Sequence, residues 1–295
     1  MPSVKPEGDS ASWIPELSRI PAVGRLVDLA LDEDIGSGDL TTWLCVGPQD
    51  KGKGVIVSRE TLVVAGLEVA REVFTRLDPD IRFHPVHTDG TRVEEGTEVV
   101  VLEGRLRALL TGERTALNFL QRLSGVATHV RAFVERLGGS GVQLVDTRKT
   151  TPGWRTLEKY AVRVGGARNH RFGLYDGILI KDNHIACCGG IRQAVDRIRR
   201  LAPHTIRIEV EVETLDEVGE ALDSGADVIM LDNMSDEQIA RAVEAIGGKA
   251  LIEVSGGVTL ERLERLSVIE IDVVSVGALT HAARSVDLSM DIEAL

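Results

Sequence analysis

The sequence is short of cysteine. Cys45, Cys187 and Cys188 are odd in number and have no ligand-like spacing, so neither a disulfide framework nor a zinc site is supported. It also lacks any apolar run of membrane-spanning length, and the N-terminus carries one early lysine without the apolar core of a secretion signal. These absences point to a cytoplasmic chain with no membrane partner. Positive charge is in deficit as well: the net charge is -12 at pH 7 and the pI about 5.1, which argues against general binding to nucleic acid or anionic membrane. No GxGxxG motif follows the first strand of the βα series and no Walker A lysine motif occurs, so dinucleotide and P-loop sites lack support.

What is present is a 295-residue chain, 43% hydrophobic with mean hydropathy near zero, enough for one large domain or two smaller ones. Against its acidic background one stretch stands out, from Asp146 to His184. Two apolar runs, Val142 to Val145 and Gly177 to Ile180, break at their C-terminal ends into cations and hydrogen-bonding side chains. Arg148, Lys149, Arg168, His170, Arg171 and Lys181 fall within about one βαβ unit. A solvated basic face is the bland account of such charges. Their interleaving with Thr, Asn, Gly and Pro at strand ends favours a site for a small, highly charged anion. Between the runs, Trp154, Leu157, Ala161 and Val164 form one helical stripe, and Arg155, Glu158, Lys159 and Arg163 the polar one.

Residues 1–21 are rich in Pro, Ser and charge and read as a mobile N-terminal extension, with Trp13, Ile14 and Leu17 as docking candidates. Residues 22–125 read as a small α+β domain. Val23, Leu26, Val27, Ala30 and Leu31 give a helix, and Asp39-Leu-Thr-Thr42 a turn and cap. Strands are expected at 55–58, 62–65, 81–86 and 97–102, with a helix over 67–77. The Gly-Thr-Arg-Val-Glu-Glu-Gly96 rhythm resembles biotin- and lipoyl-carrier domains, but the modifiable hairpin lysine is absent. A long helix, Glu113 to Leu137, follows, with Gly125 expected to kink it or mark a domain boundary.

Residues 126–280 alternate strand and helix. Strands are expected near 142–145, 177–181, 205–212, 227–231, 250–254 and 272–276, which means a parallel sheet, open or closed. Repeated polar residues at strand ends favour a barrel, with about six strands rather than eight. The fold class is therefore α/β: a small N-terminal α+β sandwich domain, then an incomplete β/α barrel. The last segment, 281–295, is expected to pack back on the N-terminal domain.

Arg207, Glu209, Glu211 and Glu213 alternate with Ile206, Ile208, Val210 and Val212, which puts four charges on one strand face. Helices cover the outside of a βα barrel, so these charges must look inward, where carboxylates need cations or a metal. Asp232-Asn233 ends the next strand, and such acids beside Lys149 and Lys181 suit Mg²⁺, sugar hydroxyls and developing positive charge. Ser255-Gly256-Gly257 and Gly277-Ala278-Leu-Thr-His281 end the last two strands, where glycines admit a phosphate to backbone N–H groups.

The strings Thr147-Arg-Lys-Thr-Thr-Pro-Gly153, Asn169-His-Arg171, Ile180-Lys-Asp-Asn-His184, Leu231-Asp-Asn233, Ser255-Gly-Gly257 and Val276-Gly-Ala-Leu-Thr-His281 stand in the order and spacing of quinolinate phosphoribosyltransferases. Asp39-Leu-Thr-Thr42, Leu110-Thr-Gly-Glu-Arg-Thr115 and Asn118 also match, so the chain resembles that family from about residue 22 onward. The resemblance implies transfer of phosphoribose from phosphoribosyl pyrophosphate to quinolinate with decarboxylation, giving nicotinate mononucleotide, pyrophosphate and CO2. It implies that Arg148, His170, Arg171 and Lys181 hold the two carboxylates, joined by Arg114 from the partner of a homodimer or higher homo-oligomer. Lys149 would contact the phosphoribosyl donor. Glu211 and Asp232 would serve ribose hydroxyls and Mg²⁺, directly or indirectly. Ser255, Gly256, Gly257, Gly277, Ala278 and His281 would lie around the phosphates, near Thr147. By the same token Lys149, Lys181, Glu211 and Asp232 are the expected catalytic set. Rival readings are the homologous protein of molybdenum-transport operons, a nicotinate phosphoribosyltransferase, a Schiff-base aldolase using Lys181, and a non-enzymatic binding module. The full set of dicarboxylate-binding cations argues against the first.

Overall fold

A computed structural model describes residues 17–295, and the chain divides into two compact units. One comprises the chain up to Arg131 with 151–166 and 282–295; the other comprises 132–150 and 167–281. Trp13 and Ile14 lie outside the described residues.

The first unit begins earlier than its composition suggests. Leu17 is buried in a 3₁₀ turn, Leu17–Arg19, because Glu68 accepts the backbone N–H groups of Leu17 at 2.7 Å and Ser18 at 3.0 Å. Helix α1 (Pro21–Ile35) opens on proline, whose missing N–H costs nothing there, and buries Val23, Val27 and Leu31. The Asp39 carboxylate accepts from the Thr42 N–H at 3.0 Å and caps α2 (Leu40–Cys45). Strands β1 (Lys51–Ser58) and β2 (Leu62–Val63) lead to α3 (Leu67–Leu77), then β3 (Arg82–Pro85), β4 (Arg92–Val93) and β5 (Glu98–Arg105). In α3, Val69, Ala70, Val73 and Phe74 are fully buried, each larger side chain stabilising by about 1.5–3 kcal/mol.

Helix α4 (Leu106–Leu137) starts seven residues before the expected Glu113 and runs unbroken through Gly125. The glycine serves packing rather than a kink: a Cβ there would stand 2.0 Å from the Arg284 carbonyl oxygen. After β6 (Gln143–Val145) comes α5 (Arg155–Val164), which groups with the first unit. Its expected polar stripe is partly buried. Glu158 is 0% and Lys159 2% exposed, since Arg122 meets Glu158 at 2.7 Å and Trp154 stacks on Phe119 at 4.9 Å.

The barrel unit continues with β7 (Ile178–Ile180), α6 (Asp182–Cys188), α7 (Ile191–Leu201), β8 (Ile208–Val212), α8 (Leu215–Asp223), β9 (Val228–Asp232), α9 (Asp236–Ile246), β10 (Leu251–Ser255), α10 (Leu260–Leu266), β11 (Val273–Ser275) and α11 (Ala278–His281). Its six parallel strands lie in the order β6-β11-β10-β9-β8-β7, an incomplete barrel left unpaired between β6 and β7. Capping boxes at Thr214/Glu217 and Ser235/Gln238 start α8 and α9 directly after their strands, and so fix where the strand ends stop. The chain then forms β12 (Leu288–Ala294), antiparallel to β1, which completes the first unit's sheet β12-β1-β5-β3.

Candidate active site

All the strand ends of the barrel unit open on one cavity of about 680 Å³. From the β6 loop come Thr147, Arg148 and Lys149; from 170–171 and the end of β7 come His170, Arg171 and Lys181. Opposite, β8 and β9 present Glu211 and Asp232, and the loops after β10 and β11 bring Ser255, Gly256, Gly257, Gly277, Ala278 and His281. One expected cation is elsewhere: Arg168 is exposed and donates to Gln143 Oε1 at 3.0 Å, because residue 168 bridges the edge of β6 and turns its side chain away. Arg114 is exposed on α4, in the first unit.

The expected strand face of four charges is also shorter. Strand β8 covers only 208–212, so Glu209 is buried and Glu211 half-buried in it, while Arg207 and Glu213 lie outside and exposed. The Lys181 ammonium hydrogen-bonds Glu211. His184 of the same motif is spent locally, its Nδ1 accepting the Lys181 N–H at 3.0 Å to begin α6. Asp146, fully buried, accepts from Asn169 Nδ2 at 2.6 Å and the His170 N–H at 2.9 Å, and so clamps the segment that carries His170 and Arg171.

Burial and the neighbouring Arg148 pull the Arg171 guanidinium below its ordinary pKa, against the opposing charges of Glu209 and Asp176. Two like charges held together in a cavity bind a polyanion with more gain than either alone in water.

On the other side, the loops are shaped for close approach. Gly256 and Gly257 have φ of +87° and +58°, and a Cβ at Gly256 would meet Asn233 Oδ1 at 2.2 Å. Arg262 ties these loops together, donating to the carbonyls of Gly256 at 2.7 Å and Met234 at 2.5 Å. Gly277 lies close under Lys149, whose Cδ is 2.8 Å from the position of a Cβ there, so a side chain at 277 would push that lysine aside. The Thr280 hydroxyl donates to the Lys149 carbonyl at 2.8 Å, which pins that loop to the last strand end.

Sequence reading missed Glu253, Ser275, Asn233 and Thr259 among the lining residues. A signal for Glu253 was there: Ile252-Glu253-Val254 repeats the Ile208-Glu209-Val210 pattern of β8 on another strand of the same sheet.

The fold and cavity are those of a β/α-barrel enzyme, with cations facing carboxylates across the strand ends. Comparison with known proteins narrows this. The profile described as quinolinate phosphoribosyl transferase, C-terminal domain, matches residues 126–291, and that of the N-terminal domain matches 39–124. The chain belongs to the quinolinate phosphoribosyltransferase family, a family of pentosyltransferases. A relative in Bacillus subtilis (strain 168), described as a probable nicotinate-nucleotide pyrophosphorylase [carboxylating], is 45% identical over 260 residues, covering 88% of this chain and 90% of its own. The quinolinate phosphoribosyltransferase [decarboxylating] 1 of Nicotiana glauca is 34% identical, covering 91% and 81%. The crystal structure of NadC from Streptococcus pyogenes superposes with a TM-score of 0.90 at 44% identity, covering 92% and 97%. No helix among the described residues is long and apolar enough to cross a membrane.

Proposed function

We propose that this chain transfers the phosphoribosyl group of phosphoribosyl pyrophosphate to the ring nitrogen of quinolinate, releasing pyrophosphate and CO2 and giving nicotinate mononucleotide for NAD synthesis in the cytoplasm. The observation that carries the reading is the juxtaposition of Arg148, Lys149, Arg171 and Lys181 with Glu211 and Asp232 in one cavity of a chain from this family. The dicarboxylate lies against the arginines, and the phosphoribosyl donor lies along Glu211, Asp232 and the glycine loops.

The pyridine nitrogen forms its bond to the anomeric carbon as the bond to the pyrophosphate oxygen breaks. Glu211 and Asp232 stabilise the positive charge that builds on the ribose, a term worth roughly 3 kcal/mol per well-placed group. Lys149 faces the departing negative charge. The ring nitrogen is now cationic, so the carbon–carbon bond to the adjacent carboxylate breaks with its electron pair left on the ring. CO2 departs and that carbon takes up a proton. Positioning is most of what the protein contributes. Glu211 and Asp232 offer hard carboxylate oxygens, the donors Mg²⁺ prefers, and would hold it directly or through water. Bound there, Mg²⁺ would offset charge on the pyrophosphate.

Exposed Arg114 supports a homodimer, or a higher homo-oligomer, in which that side chain reaches a neighbour's dicarboxylate. The test mixes purified protein with phosphoribosyl pyrophosphate, Mg²⁺ and either quinolinate or nicotinate. Coupled release of CO2 and pyrophosphate from quinolinate alone is expected; turnover of nicotinate instead refutes the dicarboxylate assignment. Arg114→Ala and Lys149→Ala proteins, each inactive, are expected to recover part of the activity when mixed as subunits.

A further inference from the structure

Under the cationic side of the cavity lies a cluster that the reaction above does not use. Glu209 of β8 and Glu253 of β10 are buried, and His170 Nε2 faces both, at 3.2 Å from Glu209 Oε2 and 3.6 Å from Glu253 Oε2. The three side chains converge within 4.8 Å, which also suits a divalent metal. The other ring nitrogen decides between the two readings. His170 Nδ1 accepts the Arg171 backbone N–H at 2.7 Å, so it carries a lone pair and no proton. A histidine that binds a metal through Nε2 ordinarily donates its Nδ1–H. Here Nε2 must hold the proton instead, and its N–H points at carboxylates.

We propose that Glu209 and Glu253 are positioning residues for His170: they fix its proton on Nε2 and draw that N–H inward. His170 then meets the substrate as a neutral ring, and the two carboxylates of the dicarboxylate are neutralised by Arg148, Arg171 and Lys181. The inference rests on the proposed reaction for its substrate, and it changes the part that the family resemblance implies for His170.

Charge balance supports it. Two ionised carboxylates beneath a dianion's pocket would oppose binding, but burial and the adjacent Glu209 push Glu253 up to about 7. Glu253 is therefore only partly ionised near neutral pH, and Glu209 also faces Arg171. Glu209 Oε1, Glu253 Oε1 and Ser275 Oγ are buried without a hydrogen-bond partner among the described residues, the kind of polar atoms that a buried water satisfies.

The test is nitrogen-15 NMR of histidine-labelled full-length protein without substrate, the His170 signals being picked out of the seven histidines with His170→Gln. The expected result is a single neutral tautomer, Nε2 protonated and Nδ1 bare, at pH 7.5, replaced by tautomer exchange in Glu253→Ala and Glu209→Ala. In kinetics, Glu253→Ala is expected to raise KM for quinolinate about tenfold while KM for phosphoribosyl pyrophosphate moves less than about twofold. Glu253→Gln, which keeps a hydrogen-bonding end of the same size, recovers most of that affinity. An imidazolium or an Nδ1–H tautomer in the wild type overturns the proposal, as does a tautomer indifferent to both substitutions. Stoichiometric Zn²⁺ binding that is lost in Glu253→Ala overturns it in favour of a metal centre. The NMR arm needs no substrate, so its failure is separable from failure of the proposed reaction.

Discussion

Each unit buries glutamate, and the two treat it oppositely. In the first unit Glu158 is completely enclosed and completely answered: Arg122 donates to it at 2.7 Å, and the Thr151 N–H and hydroxyl at 3.0 and 2.9 Å. In the barrel unit Glu209 and Glu253 each keep one buried oxygen without a partner, and they crowd each other. A buried charge whose hydrogen bonds are all made serves the fold, whereas one left half-satisfied beside a cavity is retained against stability and points to chemistry.

The comparison breaks first at Glu158. Glu158→Ala takes away the buried carboxylate that Arg122 and Thr151 both meet and is expected to lower stability by about 3–5 kcal/mol, read as a fall in the urea midpoint. If the loss is under about 1 kcal/mol, the enclosed glutamate is not structural and the contrast fails. Next, Glu211→Gln removes a carboxylate from the cavity and is expected to lower kcat by about a hundredfold with the melting temperature nearly unchanged. A matching loss of stability would place Glu211 with Glu158. Smaller again is Gly256→Ala, which forces a Cβ onto a backbone with φ of +87° and against Asn233, at a strain of about 1–2 kcal/mol. It should raise KM for phosphoribosyl pyrophosphate more than KM for quinolinate.

The finest distinction is in pH. Burial and Glu209 raise Glu253 from its ordinary 4.5 to about 7, so between these values the folded chain holds a proton that the unfolded chain has lost. The stability this group contributes is full below 4.5 and is lost as pH rises through 7. Glutamine has no proton to lose. The melting temperature of Glu253→Gln relative to wild type should therefore climb from pH 5 to 8 and then level off. A gap that stays flat from pH 5 to 8 would mean Glu253 is ionised throughout.

Much of this was legible in the chain. The βα alternation after residue 142 gave the barrel, and the apolar stripe of 67–77 gave α3 to the residue. The cavity's cations and acids were readable because strand ends carry chemistry in this architecture. What escaped depended on partners remote in sequence. Glu158 and Lys159 sit on the side of α5 that periodicity makes polar, and nothing local announces Arg122 as a partner. Gly125 looks like a helix breaker until Arg284 is placed against it. Glu253 hid in an apolar strand, since one acid among Leu, Ile and Val shows no period. Arg207 and Glu213 show the reverse error, a charge alternation that outruns the strand carrying it.

The pairing of β12 with β1 has a consequence for how the protein comes into being. The first unit's sheet needs a strand made of 288–294, so β1 must wait, one edge bare, while more than two hundred further residues are translated. The barrel strands, 143–275, all emerge in that interval and can pair with one another first. On the ribosome, the half of the chain written later is the half able to finish earlier. A nascent chain stalled before residue 288 would carry an assembled catalytic barrel beside a sheet edge still open to mispairing.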